Sequence, residues 1–135
     1  MPIEYGLTNY FSGSFQDRSL LGETAAKVLK YDKPYFFNLD NRKKLKGLIV
    51  EKFGPDVYEM QNAWGGIFWE IRGKLGRNEA DKLLYEAWRS LTDQENTRVG
   101  RSFISNLMTQ ARQRLGENGA TSVRRILTER GVKDF

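Results

Sequence analysis

The chain has 135 residues, of which 39% are hydrophobic, 29% charged and 13% aromatic; this excludes a disordered chain and suits one domain with a moderate core. It contains no cysteine and no histidine, so disulfides, thiolate metal sites, cysteine nucleophiles, histidine bases and His-ligated zinc are excluded within it. Lys and Arg number 22 against 17 acidic residues, and the net charge of +5 admits nucleic acid or an acidic surface as a partner, although acidic residues interleave with most of the bases.

Leu7, Tyr10, Phe11 and Phe15 fall at helical spacing and predict a helix from roughly Ile3 to Phe15, weakened by Gly6 and Gly13. Gly22 to Lys30 has room for a further helical turn. The run from Tyr31 to Asn38 reads as extended, because Pro34 biases Lys33 away from the helix and the aromatic residues suit a pleated setting. Asn41 to Phe53 is amphipathic, with Leu45, Leu48, Ile49 and Phe53 on one face, and Gly54-Pro55 stops it.

The clearest helix of the middle runs from about Asn62 to Leu75, with Trp64, Ile67, Phe68, Ile71 and Leu75 as its stripe. Gly76 ends it, and Asn78 is placed to cap a helix from Glu79 to about Leu91. A polar connector, Thr92 to Gly100, leads to a helix from about Arg101 to Leu115 with Gly116 as its stop. Asn118 or Thr121 opens a last helix, Gly131 ends it, and Val132 folds back onto it. The expected fold is mainly α, a single-domain helical bundle over 1–135 with helices joined by short turns. Its core is expected to draw on Phe11, Leu48, Ile67, Phe68, Leu84, Trp88, Phe103, Leu107, Leu115 and Ile126. No apolar run approaches the roughly 20 residues of a membrane span, and no signal peptide is read at the start.

Three stretches together resemble the C-terminal helical lobe of thermolysin-like (gluzincin) zinc metallopeptidases. The first is Tyr5-Gly6-Leu7-Thr8-Asn9-Tyr10-Phe11-Ser12-Gly13-Ser14-Phe15 followed by Leu21-Gly22-Glu23, similar to the family's Glu-Gly-Leu-Ala-Asp-Tyr-Phe-Ala helix. The second comprises Asp56-Val57-Tyr58-Glu59 and Gly65-Gly66-Ile67-Phe68-Trp69-Glu70-Ile71-Arg72, and the third runs from Phe103 to Val132. The resemblance implies a lobe of a two-lobe peptidase. The residues that do the family's chemistry are not matched. The third zinc ligand, a Glu, falls on Tyr5, the Asp whose carboxylate orients a ligand histidine on Asn9, and the transition-state histidine on Tyr58. No His-Glu-x-x-His helix is present. No catalytic residue, metal ligand or cofactor is therefore assigned.

Tyr5, Asn9, Tyr58 and Trp64, at or near these positions, are the candidate ligand or partner surface. The face that would meet the catalytic lobe is expected to be remodelled for solvent or covered by another protein chain or a second copy. Trp64, Phe68 and Trp88 read as core, and Trp69, offset from them, is the tryptophan expected at the surface. Glu70, Glu79, Asp81, Asp93 and Glu95 read as surface charges. Arg112, Arg114, Arg124 and Arg125 form a basic face without any nucleic-acid-binding motif. The functional expectation is a non-catalytic, protein-binding or scaffolding module. The alternatives are the C-terminal piece of a split or processed zinc metallopeptidase, or a basic nucleic-acid or acidic-surface binder. No membrane partner is expected, and the composition assigns no compartment.

Overall fold

The computed structural model describes residues 2–45, 57–92 and 99–133. Helix α1 (Pro2–Gln16) starts on a proline, whose missing N–H costs nothing in a first turn. It buries Ile3, Gly6, Leu7, Tyr10, Gly13 and Ser14, a stripe at three- and four-residue spacing. Phe15 is 83% exposed, contrary to its placing on the apolar stripe, because Ser14 takes the inward position and bonds to Asp81.

Strand β1 (Leu20–Leu21) pairs antiparallel with β2 (Phe37–Asn38), Leu20 opposite Asn38 and Leu21 opposite Phe37. The short helix α2 (Glu23–Val28) lies between them. The extended reading of the Tyr31–Asn38 run thus holds at its end.

The helix expected from Asn41 does not form over 41–45, and the rest of that stretch, with Leu48, lies outside the described residues. The side chain of Asn41 accounts for the irregular backbone. Its Oδ1 accepts the Lys43 N–H at 3.0 Å, and its Nδ2 donates to the carbonyls of Asn38 at 2.7 Å and Asn62 at 3.0 Å. Such local side-chain bonding competes directly with a helical turn.

Helix α3 (Val57–Leu75) is the central element. Gly6 of α1 meets Trp64 and Gly65, Tyr10 meets Phe68 and Trp69, and Ser14 meets Arg72, so α1 and α3 run parallel. Gly6 makes the approach possible: a Cβ there would lie 2.5 Å from Trp64 Cβ. Glycine lowers helix propensity by about 1 kcal/mol, and the close packing offsets that loss.

Helix α4 (Arg77–Arg89) begins two residues before the expected start. Gly76, with φ 86°, makes the turn itself, and its carbonyl accepts the Ala80 N–H at 3.0 Å, so the Asn78 cap is not used. Helix α5 (Val99–Glu129) is interrupted at Gly116 (φ 73°, ψ −173°) and resumes at once, without waiting for Asn118 or Thr121. Its first half runs antiparallel to α4, with Phe103 against Trp88, Asn106 bonded to the Ala87 carbonyl and Arg114 beside Glu79. Most of the connector before α5, including Asp93 and Glu95, lies outside the described residues.

The helix ends on a left-handed cap. Gly131 has φ 90°, the Val132 N–H reaches the Leu127 carbonyl at 2.9 Å, and the Gly131 N–H reaches Thr128 at 3.1 Å. Val132 folds back as expected and is 2% exposed. The core gathers Tyr10, Trp64, Ile67, Phe68, Leu83, Leu84, Phe103, Leu107 and Leu127, with Phe11, Trp88 and Leu115 partly buried against it. Phe68 sits at its centre, stacked on Trp64 at 5.7 Å and edge-on to Phe103 at 5.8 Å. Among the described residues no helix is long and apolar enough to cross a membrane.

Candidate binding groove

The cap that ends α5 places Arg130 where its side chain turns inward. Only 4% of that side chain is exposed, which is rare for a guanidinium and demands partners. It has four. Arg130 donates to Glu70 Oε2 at 2.5 Å, to Asn41 Oδ1 at 3.1 Å, to the Lys43 carbonyl at 2.8 Å and to the Gly66 carbonyl at 3.5 Å. The Leu45 N–H closes the circuit on the Arg130 carbonyl at 2.8 Å. One buried cation thus ties the 39–45 segment to α3 and to the end of α5. Gly66 leaves the space: a Cβ there would lie 2.4 Å from Asn41 Oδ1 and 2.6 Å from the Arg130 guanidinium.

Above this clamp lies a groove of about 510 Å³. Leu39 to Arg42 form one wall, Gly66, Trp69, Glu70, Gly73 and Lys74 of α3 the second, and Ser122, Arg125, Ile126 and Glu129 of α5 the third. Leu39, at 2% exposed, and Ile126, at 7%, supply buried apolar surface. Trp69 is half-buried, edge-on to Tyr10 at 6.4 Å, with the Arg72 guanidinium 4.5 Å from its ring centre. Glu70 carries Arg130 on one oxygen and Arg42 on the other, the latter at 3.2 Å. The volume falls in the range of small-ligand and side-chain pockets, and both charge signs line it.

A second polar constellation joins α1, α3 and α4. Asp81 accepts the hydroxyls of Tyr10 at 2.6 Å and Ser14 at 2.7 Å, and Arg72 Nε donates to Ser14 Oγ at 3.2 Å. Arg72 also pairs with Asp17 at 2.5 Å, which holds that exposed carboxyl below its usual range. Burial, reinforced by the Asp81 carboxylate, pushes the Tyr10 hydroxyl well above the ordinary tyrosine range. Tyr10 is fully buried and Ser14 is 1% exposed, so no substrate reaches these hydroxyls and the network is structural. Glu70 and Asp81 are thus half-buried and partnered, where the sequence suggested surface charges.

The four candidate residues differ in exposure. Tyr5 is 52% exposed on α1 and Asn9 is half-buried one turn on. Tyr58, at 39% exposed, donates its hydroxyl to the Phe36 carbonyl and packs on Phe37 at 5.3 Å. Trp64 corrects the surface reading: it is 2% exposed and belongs to this chain's core, in the space that Gly6 leaves open. None of the four lines the groove.

Sequence reasoning missed the clamp. Arg130 and Asn41 carry no motif, and the available signal was Gly66, a helical glycine beside a second one. The basic face also divides: Arg112 pairs with Glu117 at 2.8 Å and Arg114 with Glu79 at 3.6 Å, whereas Arg125 lines the groove. Among the described residues no three His, Cys, Asp or Glu side chains gather as a metal-binding group. Comparison with protein-family models, with curated proteins and with solved structures finds no match to this chain.

Proposed function

We propose that the chain is a non-catalytic binding module, a degenerate metallopeptidase-like helical lobe that holds a segment of a partner protein in the groove beside Trp69. The groove carries the reading. It offers an indole wall, buried apolar surface at Leu39 and Ile126, and charged side chains at its edge, all on helices and a loop fixed by the Arg130 clamp. That combination of apolar floor and polar rim is what a protein-binding site needs. The absence of histidine and cysteine, with Tyr5, Asn9 and Tyr58 at the positions of the resembled family's chemistry, supports a role without hydrolysis.

Selection of peptides from a displayed library on the purified chain tests this. Gly73 borders the groove, and a Cβ there meets nothing within 4 Å, so Gly73→Trp fills the groove without disturbing the core. Selected peptides are expected to bind the wild type and Gly73→Ala, to lose Gly73→Trp, and to be recovered uncleaved by mass spectrometry. Equal binding to Gly73→Trp, or cleavage of the peptide, overturns the proposal.

A further inference from the structure

We infer that the groove selects an acidic segment of its protein partner, with an apolar side chain against Trp69 and Ile126 and carboxylates held by Arg42, Lys74 and Arg125. This rests on the binding-module reading and adds the chemistry of the ligand.

The charges around the groove are unequally committed. Glu70 is already matched by the buried Arg130 at 2.5 Å, so the nearby Arg42, with 80% of its side chain exposed, is a surplus cation. Lys74 and Arg125 make no ion pair among the described residues. Beside these three are two carboxylates that likewise make no ion pair among the described residues, Asp40 on the Arg42 segment and Glu129 one turn from Arg125 on α5. With Glu70 matched by Arg130, which lies behind the groove wall, the remaining three cations exceed the two carboxylates by one charge, on a chain whose net charge is +5, and the long-range field steers in the same direction. Arg112 and Arg114, further back on α5, are already neutralised by Glu117 and Glu79. A space of about 510 Å³ holds a few side chains and no duplex. An acidic peptide with an apolar residue between its carboxylates fits both the charge and the volume.

Fluorescence anisotropy with a labelled peptide that alternates Glu with Leu or Phe tests the inference, beside a probe in which each Glu is replaced by Lys. The acidic probe is expected to saturate, to weaken at high salt, and to lose affinity about tenfold or more in Lys74→Glu and in Arg125→Glu. Arg101→Glu makes the same charge change at an exposed position outside the groove and is expected to stay within about twofold of the wild type. Equal loss in Arg101→Glu reduces the effect to net charge and overturns the inference, as does displacement of the peptide by a DNA duplex at lower concentration. Should the lysine probe bind instead and Gly73→Trp abolish it, the binding module stands and the acidic selectivity falls. If no peptide of either charge binds, both fall.

Discussion

The Arg130 guanidinium lies 2.5 Å from the Glu70 carboxylate, the first near the C-terminal end of the described chain and the second in the middle of α3, with only 4% of the arginine side chain exposed. Breaking such a pair from one side leaves the other polar groups stranded. Arg130→Ala is expected to destabilise the fold by about 3–5 kcal/mol, read as a lower midpoint in urea unfolding. Arg130→Lys should recover only part of this, since one ammonium cannot replace a planar fork shared among Glu70, Asn41 and two carbonyls. A midpoint unchanged in both variants would show that the clamp holds nothing.

Gly66 and Gly73, seven residues apart on α3, should respond in opposite directions to the same change. Alanine is the better helix former by about 1 kcal/mol, and at exposed Gly73 nothing lies within 4 Å of the new methyl, so Gly73→Ala is expected to stabilise. At Gly66 the methyl would meet Asn41 and Arg130 at 2.4 and 2.6 Å, and the cost of overpacking, about 1–3 kcal/mol, outweighs the propensity gain. Thermal melts of the two variants check the sign of each.

The Tyr10 hydroxyl, held neutral by burial and by its bond to Asp81, links stability to high pH. Its folded pKa is raised above the unfolded value of about 10, so its contribution is fully present below that pH and is lost as pH rises toward the folded pKa. The stability difference between wild type and Tyr10→Phe should therefore be constant from neutral pH to about 10 and shrink above it. In an ultraviolet titration the wild type should show one more tyrosine that ionises above the ordinary range than Tyr10→Phe does. A parallel pH dependence in the two proteins would contradict this.

Zinc gives a separate check on the reading of the chain as non-catalytic. Catalytic zinc normally takes three nitrogen, sulfur or carboxylate ligands from the protein, and this sequence has neither histidine nor cysteine. Elemental analysis after dialysis against zinc-containing buffer is expected to find no stoichiometric metal. About one zinc per chain would sink the prediction.

Much of the helical framework was legible because apolar periodicity and glycine stops act locally. The stripe of α3 buries Trp64, Ile67, Phe68 and Ile71 where the spacing indicates and leaves Leu75 partly buried, and Gly76 and Gly116 fall where the helices turn or break. The groove was not legible, because its parts meet only through tertiary contacts. Arg130 reaches Asn41 across 89 positions and Glu70 across 60, and no local pattern signals either pairing. The same holds for the failed helix start at Asn41, where the side chain serves Asn62 and Arg130 instead of leaving the backbone to a helix. Trp69, which helical phase separates from Trp64 and Phe68 and which was expected at the surface, is half-buried against Tyr10, as Trp88 is against Phe103.

Trp64 and Tyr5 were grouped as one surface, and their burial now separates them. Trp64 is 2% exposed, stacked on Phe68, with Gly6 directly opposite its Cβ. Tyr5, one residue before that glycine, is 52% exposed on the outer side of α1. Trp64→Ala should open a cavity and cost about 3–5 kcal/mol, while Trp64→Glu would bury an unpaired charge and should leave the chain unfolded. Tyr5→Ala should stay within about 0.5 kcal/mol of the wild type, as surface changes generally do. Circular dichroism with urea unfolding of the three variants provides the measurement. A folded, near-wild-type Trp64→Glu would remove Trp64 from the core and restore it to a surface, whereas a loss of stability in Tyr5→Ala comparable to that of Trp64→Ala would mean that the outer side of α1 is packed rather than open.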